Sequence, residues 1–316
     1  MKVAVVGAGA IGGFIAAMLS RAGNAVGVVA RGAHLAAIRR DGLQIKSSAG
    51  DFTVSVAASD DLRELGVFDA VLIAVKAHQL GEIVPQLVLA TQSRATIVPL
   101  QNGIPFWYFE DRSLESVDPS GRVRAAIPRE LIVGAVIHTS GEILNPGVIH
   151  QSGDPDFIFG NPPGARSDGR LEEVVGLFDA AGLGVTAPPD LRPAVWRKLL
   201  GNVSLNPVSA LTRRTIKPML DDPPTRRLIA RLMTETLRVA AAAGSPLEIR
   251  VDERIEVAAR LADVKTSMLQ DLEAGRPLEL EPIVGAVIEV ADLYGVSIPT
   301  IRTIYALTRS LQGAAA

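Results

Sequence analysis

The sequence predicts an α/β protein, in which an N-terminal domain built around a parallel β-sheet precedes an all-helical C-terminal domain. Three observations support this. Short apolar segments alternate with helical patterns in the first half of the chain, as in β-α-β units. A glycine-rich turn follows the first of these segments. After Pro188 and Pro189, long helical patterns replace the strand patterns. We therefore predict domains over residues 1–188 and 189–316.

Four apolar segments supply the predicted core strands of the first domain: residues 2–6, 25–30, 70–75 and 96–100. The segment at 70–75 is apolar throughout, as expected for a parallel strand buried on both faces. Shorter strands, some of them antiparallel, are predicted at 131–137, 147–151, 157–160 and 185–187. The polar segment 109–129 is predicted to be an insertion or loop, and 170–181 a helix. In the second domain, helices are predicted at 193–211, 224–243, 249–262, 267–274, 282–294 and 299–311.

The composition excludes several classes of function. The 316 residues are 48% hydrophobic, which is typical of a folded globular protein. The 32 basic and 34 acidic residues give a net charge of -2. The chain therefore lacks the excess of basic residues that would indicate binding to nucleic acid or to a lipid surface. No apolar segment approaches the roughly 18 residues of a membrane span. The apolar N-terminus resembles a signal peptide, but it is short and becomes glycine-rich, so we interpret it as a strand and expect a cytoplasmic protein.

Metal and thiol chemistry are not expected either. The chain has no cysteine, which excludes disulfides, thiolate nucleophiles and zinc–sulfur sites. Its four histidines, at 34, 78, 138 and 150, lack the spacing of metal ligands. We therefore predict no metal site.

The glycine turn indicates a dinucleotide-binding, Rossmann-type domain. Gly7, Gly9 and Gly12 form a GxGxxG pattern, with Ala10 and Ile11 between the last two glycines. It follows a strand and opens a helix, which is the context that gives the pattern its meaning. Gly7 permits the tight turn, Gly9 lets a pyrophosphate approach the backbone, and Gly12 allows close packing of helix on strand. The alternative is a purely structural tight turn.

Arg31 indicates which cofactor this turn holds. NAD-binding folds usually place an acidic residue about 20 residues beyond the turn, where it binds the ribose 2′-hydroxyl. Here the second strand ends in VVAR, with Arg31 at that position. A guanidinium matches the geometry of a 2′-phosphate, so we predict NADP(H). The alternative is a surface arginine at the end of a strand.

Two polar loops follow predicted strands at the edge where ligands bind in open parallel sheets. VKAHQ at 75–79 contains Lys76, and QNG at 101–103 contains Asn102. Lys76 could contact cofactor oxygens, and Asn102 the nicotinamide or ribose. Either loop could instead be an ordinary turn.

The segment WRKLLGNVSLNP, residues 196–207, places Lys198, Asn202 and Asn206 four residues apart among apolar neighbours. On a helix such residues share one face. A cation and two amides are costly to bury without partners, so the stripe is predicted to face a ligand. The alternative is a lysine that reaches solvent and two asparagines bonded to backbone near a helix break at Pro207.

Together these segments resemble the ketopantoate reductase (2-dehydropantoate 2-reductase) family over essentially the whole chain. The resemblance lies in GAGAIGG, Arg31, VKAHQ, QNG and NPGVIHQSG at 145–153. Its most specific parts are WRKLLGNVSLNP and KTSMLQDLEAGRPLELEPIVG at 265–285. The resemblance implies a Rossmann domain and a helical domain, with the site in the cleft between them.

The resemblance also implies roles for individual residues. Lys198 corresponds to the family's catalytic lysine, and Glu279 to a glutamate that contacts the substrate and supports the site. Asn202, Asn206 and Ser267 correspond to substrate-binding residues. Asn102 and Lys76 correspond to cofactor-side residues, and Asn102 is also predicted to bind substrate.

Local sequence leaves alternatives for two of these residues. Ser267 and Gln270 fit a capping box, and Glu279 lies ahead of Pro282, near a helix start that favours negative charge. Two segments also depart from the family. Leu280 to Gly285 lacks the usual aromatic residue and Asn-Gly, and four aromatic residues occupy 106–109. The aromatic residues could line the cleft or anchor the inserted loop.

The leading hypothesis is NADPH-dependent reduction of 2-dehydropantoate to pantoate, for pantothenate and coenzyme A synthesis, with Lys198 as general acid. A related hypothesis is the same chemistry on another branched or bulky 2-oxo acid. A third, from a different class, is an NADP-binding regulator without catalysis. A homodimer is one assembly that the apolar helices of the C-terminal half could build.

Overall fold

The computed structural model describes residues 1–48, 50–260 and 264–314, and the chain divides into two units. The first comprises Met1–Gln101, Phe106–Ser113 and Ser120–Leu191. The second comprises Asn102–Pro105, Leu114–Pro119 and the chain from Arg192 onward. Two short segments of the first half thus belong to the helical unit. The domain limit at 188 stays a prediction.

The strands of the first unit fall into two sheets. They are β1 (Lys2–Val6), β2 (Ala25–Val29), β3 (Leu43–Lys46), β4 (Phe52–Val54), β5 (Ala57–Ser59), β6 (Ala70–Ile73), β7 (Thr96–Pro99), β8 (Gly134–Asn145), β9 (Val148–Gly160) and β10 (Gly184–Thr186). One sheet is parallel, with the order β5-β2-β1-β6-β7. The four predicted core strands are confirmed as β2, β1, β6 and β7 of this sheet, each ending at or slightly before the predicted residue.

The second sheet has the order β10-β9-β3-β4, with β8 paired to β9. β8 and β9 form a long antiparallel hairpin, whereas β3 and β10 pair with β9 in parallel. The two strands predicted at 147–151 and 157–160 are one continuous strand. The intervening residues 152–156 are polar and partly exposed, so their sequence lacks the apolar pattern that predicts a strand. Ser152 and Asp156 nevertheless pair with Ser140 and His138 of β8, with an irregular register between them.

Five helices accompany these sheets in the described first unit: α1 (Ala10–Arg21), α2 (Gly32–Asp41), α3 (Leu80–Gln92), α4 (Arg122–Ala126) and α5 (Arg170–Ala180). α1 packs its apolar face into the core, where Phe14, Ile15 and Leu19 are buried with Val3 and Val5 of β1. This packing fixes the start of α1 at the carboxyl end of β1, which is where the glycine turn lies.

The segment 109–129, predicted as an insertion or loop, contains α4, and the aromatic residues at 106–109 that lead into it are mostly buried. Phe106, Trp107 and Tyr108 are at most 3% exposed. The Trp107 ring packs so closely on Gly134 that a Cβ there would lie 2.6 Å from it, and Arg129 donates to the carbonyl oxygens of Trp107 and Phe109. These contacts support the interpretation that the aromatic residues anchor the segment.

The second unit is helical in its described part: α6 (Arg192–Thr212), α7 (Ile216–Asp221), α8 (Pro223–Ala242), α9 (Val251–Arg260), α10 (Ser267–Glu273), α11 (Ala286–Leu293) and α12 (Pro299–Ala314). The alternative that placed a helix break near Pro207 is wrong, because α6 continues for five residues beyond that proline. The helix predicted at 282–294 begins as a π-helical segment, Glu281–Gly285, and continues as α11.

Candidate active site

The glycine turn joins β1 to α1, and its geometry explains each glycine. Gly7 has a φ of +103°, and a Cβ there would lie 2.8 Å from the backbone nitrogen of Val75. A Cβ on Gly12 would lie 2.1 Å from the carbonyl oxygen of Gly7. At Gly9, in contrast, no described atom lies within 4 Å of a Cβ position. The turn is therefore tight on its protein side and open at Gly9, the residue that caps α1.

The start of α1 has the properties of an anion site. The first N–H groups of a helix have no partner within it, and the helix dipole is positive at this end. No acidic residue lies in the first turn of α1. The backbone is held in place because the N–H groups of Gly7 and Ala8 both donate to the carbonyl oxygen of Val29, at 3.0 Å each. Residues 7–12 thus fit the diphosphate of a dinucleotide.

Arg31 lies two residues after Val29, the last residue of β2, and is the N-cap of α2. Its side chain is 63% exposed, and its Nη1 is 4.0 Å from Oε2 of Glu82, which is also exposed. An exposed pair at this distance contributes little free energy. The guanidinium therefore remains available to a phosphate.

The loops after β6 and β7 are tied together by Gln101. Its Nε2 donates to the carbonyl oxygens of Ile73, at 2.7 Å, and Val75, at 3.1 Å. Its buried Oε1 has no hydrogen-bond partner among the described residues. In the first of these loops, the N–H of Lys76 donates to Oε1 of Gln79 at 3.2 Å. No role was predicted for Gln101 itself, although its amide follows directly after the predicted strand 96–100 in the QNG segment.

The second unit brings together three predicted residues from distant parts of the sequence. Nδ2 of Asn102 donates to Oε2 of Glu279 at 3.2 Å. Glu279 is only 5% exposed, and its carboxylate lies near enough to Lys198 to raise the pKa of that amine. Burial acts more strongly in the opposite direction, so the pKa of Lys198 is lowered from its ordinary value to about 8.

Asn202 and Asn206 lie on the same helix as Lys198. Asn202 is half-buried. Asn206 is 5% exposed, and its Nδ2 has no hydrogen-bond partner in the described part of the chain. A buried donor of this kind costs about 1–3 kcal/mol unless a ligand or water satisfies it. Because Nδ2 of Asn206 makes no backbone bond and α6 does not break at Pro207, the alternative interpretation of Asn206 loses its support.

Ser267 is the first residue of α10, and its side chain is exposed. The capping box suggested for it is wrong, since the N-cap is Thr266, whose hydroxyl accepts from the N–H of Leu269 at 3.2 Å. The structure does not bring Ser267 into hydrogen-bond contact with Lys198 or Glu279. Its predicted role in substrate binding stays a prediction.

The arrangement in the second unit suits acid catalysis on a polar substrate. An amine with a pKa of about 8 is largely protonated at neutral pH and can both stabilise negative charge and release a proton.

The described residues contain no group of three His, Asp or Glu side chains placed to hold a metal ion. No described helix has the length and apolarity to cross a membrane.

Known proteins match the chain over nearly its full length. The family model "Ketopantoate reductase PanE/ApbA" matches residues 3–164, and the model of the C-terminal part of this family matches residues 190–312. A 2-dehydropantoate 2-reductase from Mesorhizobium japonicum is 38% identical, with 98% of each chain covered. One from Halobacterium salinarum is 30% identical, with 99% of each covered. The crystal structure of the Geobacter metallireducens enzyme has a TM-score of 0.88 at 28% identity, covering 98% of this chain and 99% of that one.

Proposed function

Because the chain belongs to the ketopantoate reductase family and is an oxidoreductase of that family, we propose that it reduces 2-dehydropantoate to pantoate with NADPH. The product would enter pantothenate and coenzyme A synthesis. Residues 1–188 would bind the cofactor, and residues 189–316, with Asn102, the substrate. The observation that carries this proposal is Lys198, an amine with a pKa of about 8, placed beside the buried carboxylate of Glu279.

Lys198 is proposed as the general acid. Reduction of a 2-oxo acid adds a hydride to C2 and builds negative charge on the carbonyl oxygen. The ammonium group stabilises this charge and then transfers a proton from Nζ to the oxygen, so that the hydroxyl forms and the lysine becomes neutral. Solvent restores the proton before the next turnover. A lysine at its ordinary pKa would release this proton less readily.

The neighbouring amides and Glu279 are proposed to orient the substrate. Nδ2 of Asn206 is a buried donor that a substrate hydroxyl or carboxylate could satisfy, and Asn202 lies one helical turn before it. Glu279 holds the amide of Asn102 and raises the pKa of Lys198. Ser267 is proposed to assist at the substrate carboxylate, as the family resemblance implies.

The residues of the first unit fit a reduced nicotinamide dinucleotide. The open position at Gly9 and the N-terminus of α1 (residues 10–12) would hold its diphosphate, and Lys76 other cofactor oxygens. Arg31 would bind the 2′-phosphate that distinguishes NADPH from NADH. When bound, the cofactor supplies the hydride.

Replacing Arg31 with alanine is expected to reduce the preference for NADPH over NADH by about 10- to 100-fold, the range that a charge-assisted bond to phosphate would contribute. The ratio of kcat/KM for the two cofactors measures this effect. Arg40→Ala is the control, because Arg40 is an exposed arginine of the same helix that pairs with Asp41. An unchanged ratio in Arg31→Ala would assign cofactor choice to other residues.

The pH dependence of kcat tests the pairing of Lys198 with Glu279. For the wild type, kcat should fall as pH rises through about 8, because the proton donor is lost. Glu279→Gln removes the charge that raises the pKa of Lys198, so this fall should begin about one pH unit lower. Glu281→Gln, which alters an exposed acid bonded to Tyr305, should leave the profile unchanged. A profile in Glu279→Gln identical to the wild type would contradict the pairing.

A second substrate class, other branched or bulky 2-oxo acids, is favoured by one observation. Glu279 is followed by the π-helical segment Glu281–Gly285, which carries Pro282 and lacks the family's aromatic residue and Asn-Gly. Initial rates with 2-dehydropantoate and a panel of 2-oxo acids, followed by NADPH absorbance, distinguish the two. A higher kcat/KM for another acid would keep the chemistry and change the substrate.

A further inference from the structure

His34 connects the glycine turn to a distant hairpin through both of its ring nitrogens. It lies in the first turn of α2 and is half-buried. Its Nε2 is 2.7 Å from the carbonyl oxygen of Ala8, in the middle of the glycine turn. Its Nδ1 is 3.0 Å from the backbone nitrogen of Gly147, in the turn between β8 and β9. One imidazole thus joins three segments of the first unit.

The chemistry of the two partners fixes the tautomer of the ring. A backbone N–H can only donate, so Nδ1 must accept the hydrogen bond from Gly147 and carries no proton. A carbonyl oxygen can only accept, so Nε2 must carry the proton and donate to Ala8. The neutral Nε2–H imidazole therefore satisfies both contacts at once.

The hairpin end of this connection is anchored independently of His34. The carbonyl oxygen of Gly147 accepts from the N–H of Gln44 at 2.9 Å. Gly147 has a φ of +80°, and a Cβ there would lie 3.1 Å from Cβ of Ala37 on α2. The hairpin turn is therefore packed against α2 and bonded to β3, and it holds the imidazole from one side.

At the other end, the contact determines the direction of a peptide group in the cofactor turn. The carbonyl of Ala8 and the N–H of Gly9 belong to one trans peptide, so they point in opposite directions. The preceding peptide is held as well, because the N–H of Ala8 donates to the carbonyl oxygen of Val29 at 3.0 Å. The Ala8–Gly9 peptide is therefore restrained at its N-terminal side and at its own carbonyl oxygen. Because the carbonyl oxygen of Ala8 points toward His34, the N–H of Gly9 points away from His34. Gly9 is the residue that caps α1.

From this geometry we propose that His34 is a positioning residue of the dinucleotide site. It holds the Ala8–Gly9 peptide in the orientation in which the N–H of Gly9 can donate to the cofactor diphosphate. This inference rests on the proposed function, since it takes the ligand of the glycine turn to be a nicotinamide dinucleotide. His34 does not contact the reacting atoms, so its effect falls on cofactor binding and not on the chemical step.

Three substitutions at His34 separate the two hydrogen bonds. Gln can place an amide N–H near the position of Nε2 and keep the donor to Ala8. Asn can place an oxygen near the position of Nδ1 and keep the acceptor for Gly147, but it is too short to reach Ala8. Phe keeps most of the ring volume and loses both bonds. His150→Phe is the matched control, because His150 is a half-exposed histidine of the same unit that contacts Glu142.

The measurement is the Kd of the purified full chain for NADPH and for NADH, by fluorescence titration, together with the thermal unfolding midpoint without cofactor. Loss of the bond to Ala8 should raise the Kd about tenfold in His34→Asn and His34→Phe. His34→Gln should restore most of the affinity, and His150→Phe should match the wild type. In steady-state kinetics, KM for the cofactor should rise with the Kd while kcat stays within about twofold.

Several outcomes would overturn the proposal. A Kd in His34→Asn equal to that of the wild type would show that the peptide is oriented without His34. Equal weakening in the Gln and Asn variants, in step with a lower unfolding midpoint, would assign His34 a structural role only. If the wild-type chain binds neither NADPH nor NADH, the proposed function fails as well, and this result is distinct from a defect confined to the variants.

Discussion

Replacing Lys198 with alanine is expected to lower kcat for 2-oxo acid reduction by about 10³-fold and to leave the Kd for NADPH unchanged. The variant loses both the charge that stabilises the developing oxyanion and the proton that completes the reaction, and these effects together account for a loss of this size. Cofactor binding should survive, because the glycine turn and Arg31 are in the other unit of the chain. Stopped-flow absorbance of NADPH in single turnovers measures the chemical step directly.

Two further variants sharpen this experiment. Lys198→Arg keeps a positive charge but not a pKa near 8, so it should retain substrate affinity while kcat stays low. Lys217→Ala, on α7, removes an exposed lysine that pairs with Asp221 and should behave as the wild type. If Lys198→Ala retained a tenth or more of the wild-type kcat, Lys198 could not be the general acid.

The sequence predicted best those elements whose pattern is long or uniformly apolar. β1 and β6 are buried along nearly their whole length, so they read as continuous apolar segments. β4 and β5 have three residues each and are partly exposed, which is too short for a period of two to be recognised. β5 joins the parallel sheet by pairing with β2, although α2, β3 and β4 separate the two strands in the sequence. A single sequence does not contain that information.

The same distinction applies to the candidate site. Lys198 and Glu279 were predicted through the family resemblance, and the structure brings them near each other. The spacing of Asn206 suggested a ligand-facing stripe, and its buried unpaired donor supports that suggestion. Gln101 and His34 were given no role, because their contacts join residues that are 26 to 28 and 26 to 113 positions apart. Such contacts become visible only when the chain is folded.

Replacing Gly103 with alanine is expected to lower the free energy of unfolding by at least about 2 kcal/mol, from backbone strain and overpacking together. Gly103 has a φ of +94°, and an added Cβ would lie 2.1 Å from the carbonyl oxygen of Pro282. That oxygen accepts from the N–H of Ile104 at 3.0 Å. The QNG turn is therefore packed directly onto the π-helical segment that follows Glu279, and it has no room for a methyl group. Chemical denaturation measures the loss.

Gly176→Ala is the matched control for this substitution. Gly176 lies within α5, and no described atom is within 4 Å of its Cβ position, so alanine there should stabilise the protein by about 0.5–1 kcal/mol. An equal effect of the two substitutions would contradict the close contact between the QNG turn and Pro282.

The Gly103→Ala variant should also lose activity in the fraction that remains folded. A shift of the turn displaces Asn102, whose Nδ2 donates to the buried carboxylate of Glu279 at 3.2 Å. A displacement of about 1 Å in a catalytic group can cost about 10²-fold in rate. If kcat/KM falls well beyond the loss of folded protein, the turn acts by placing Asn102 and Glu279. If kcat/KM falls only in proportion to the loss of folded protein, the contact between Gly103 and Pro282 stabilises the unit, and the placement of Asn102 does not depend on that contact.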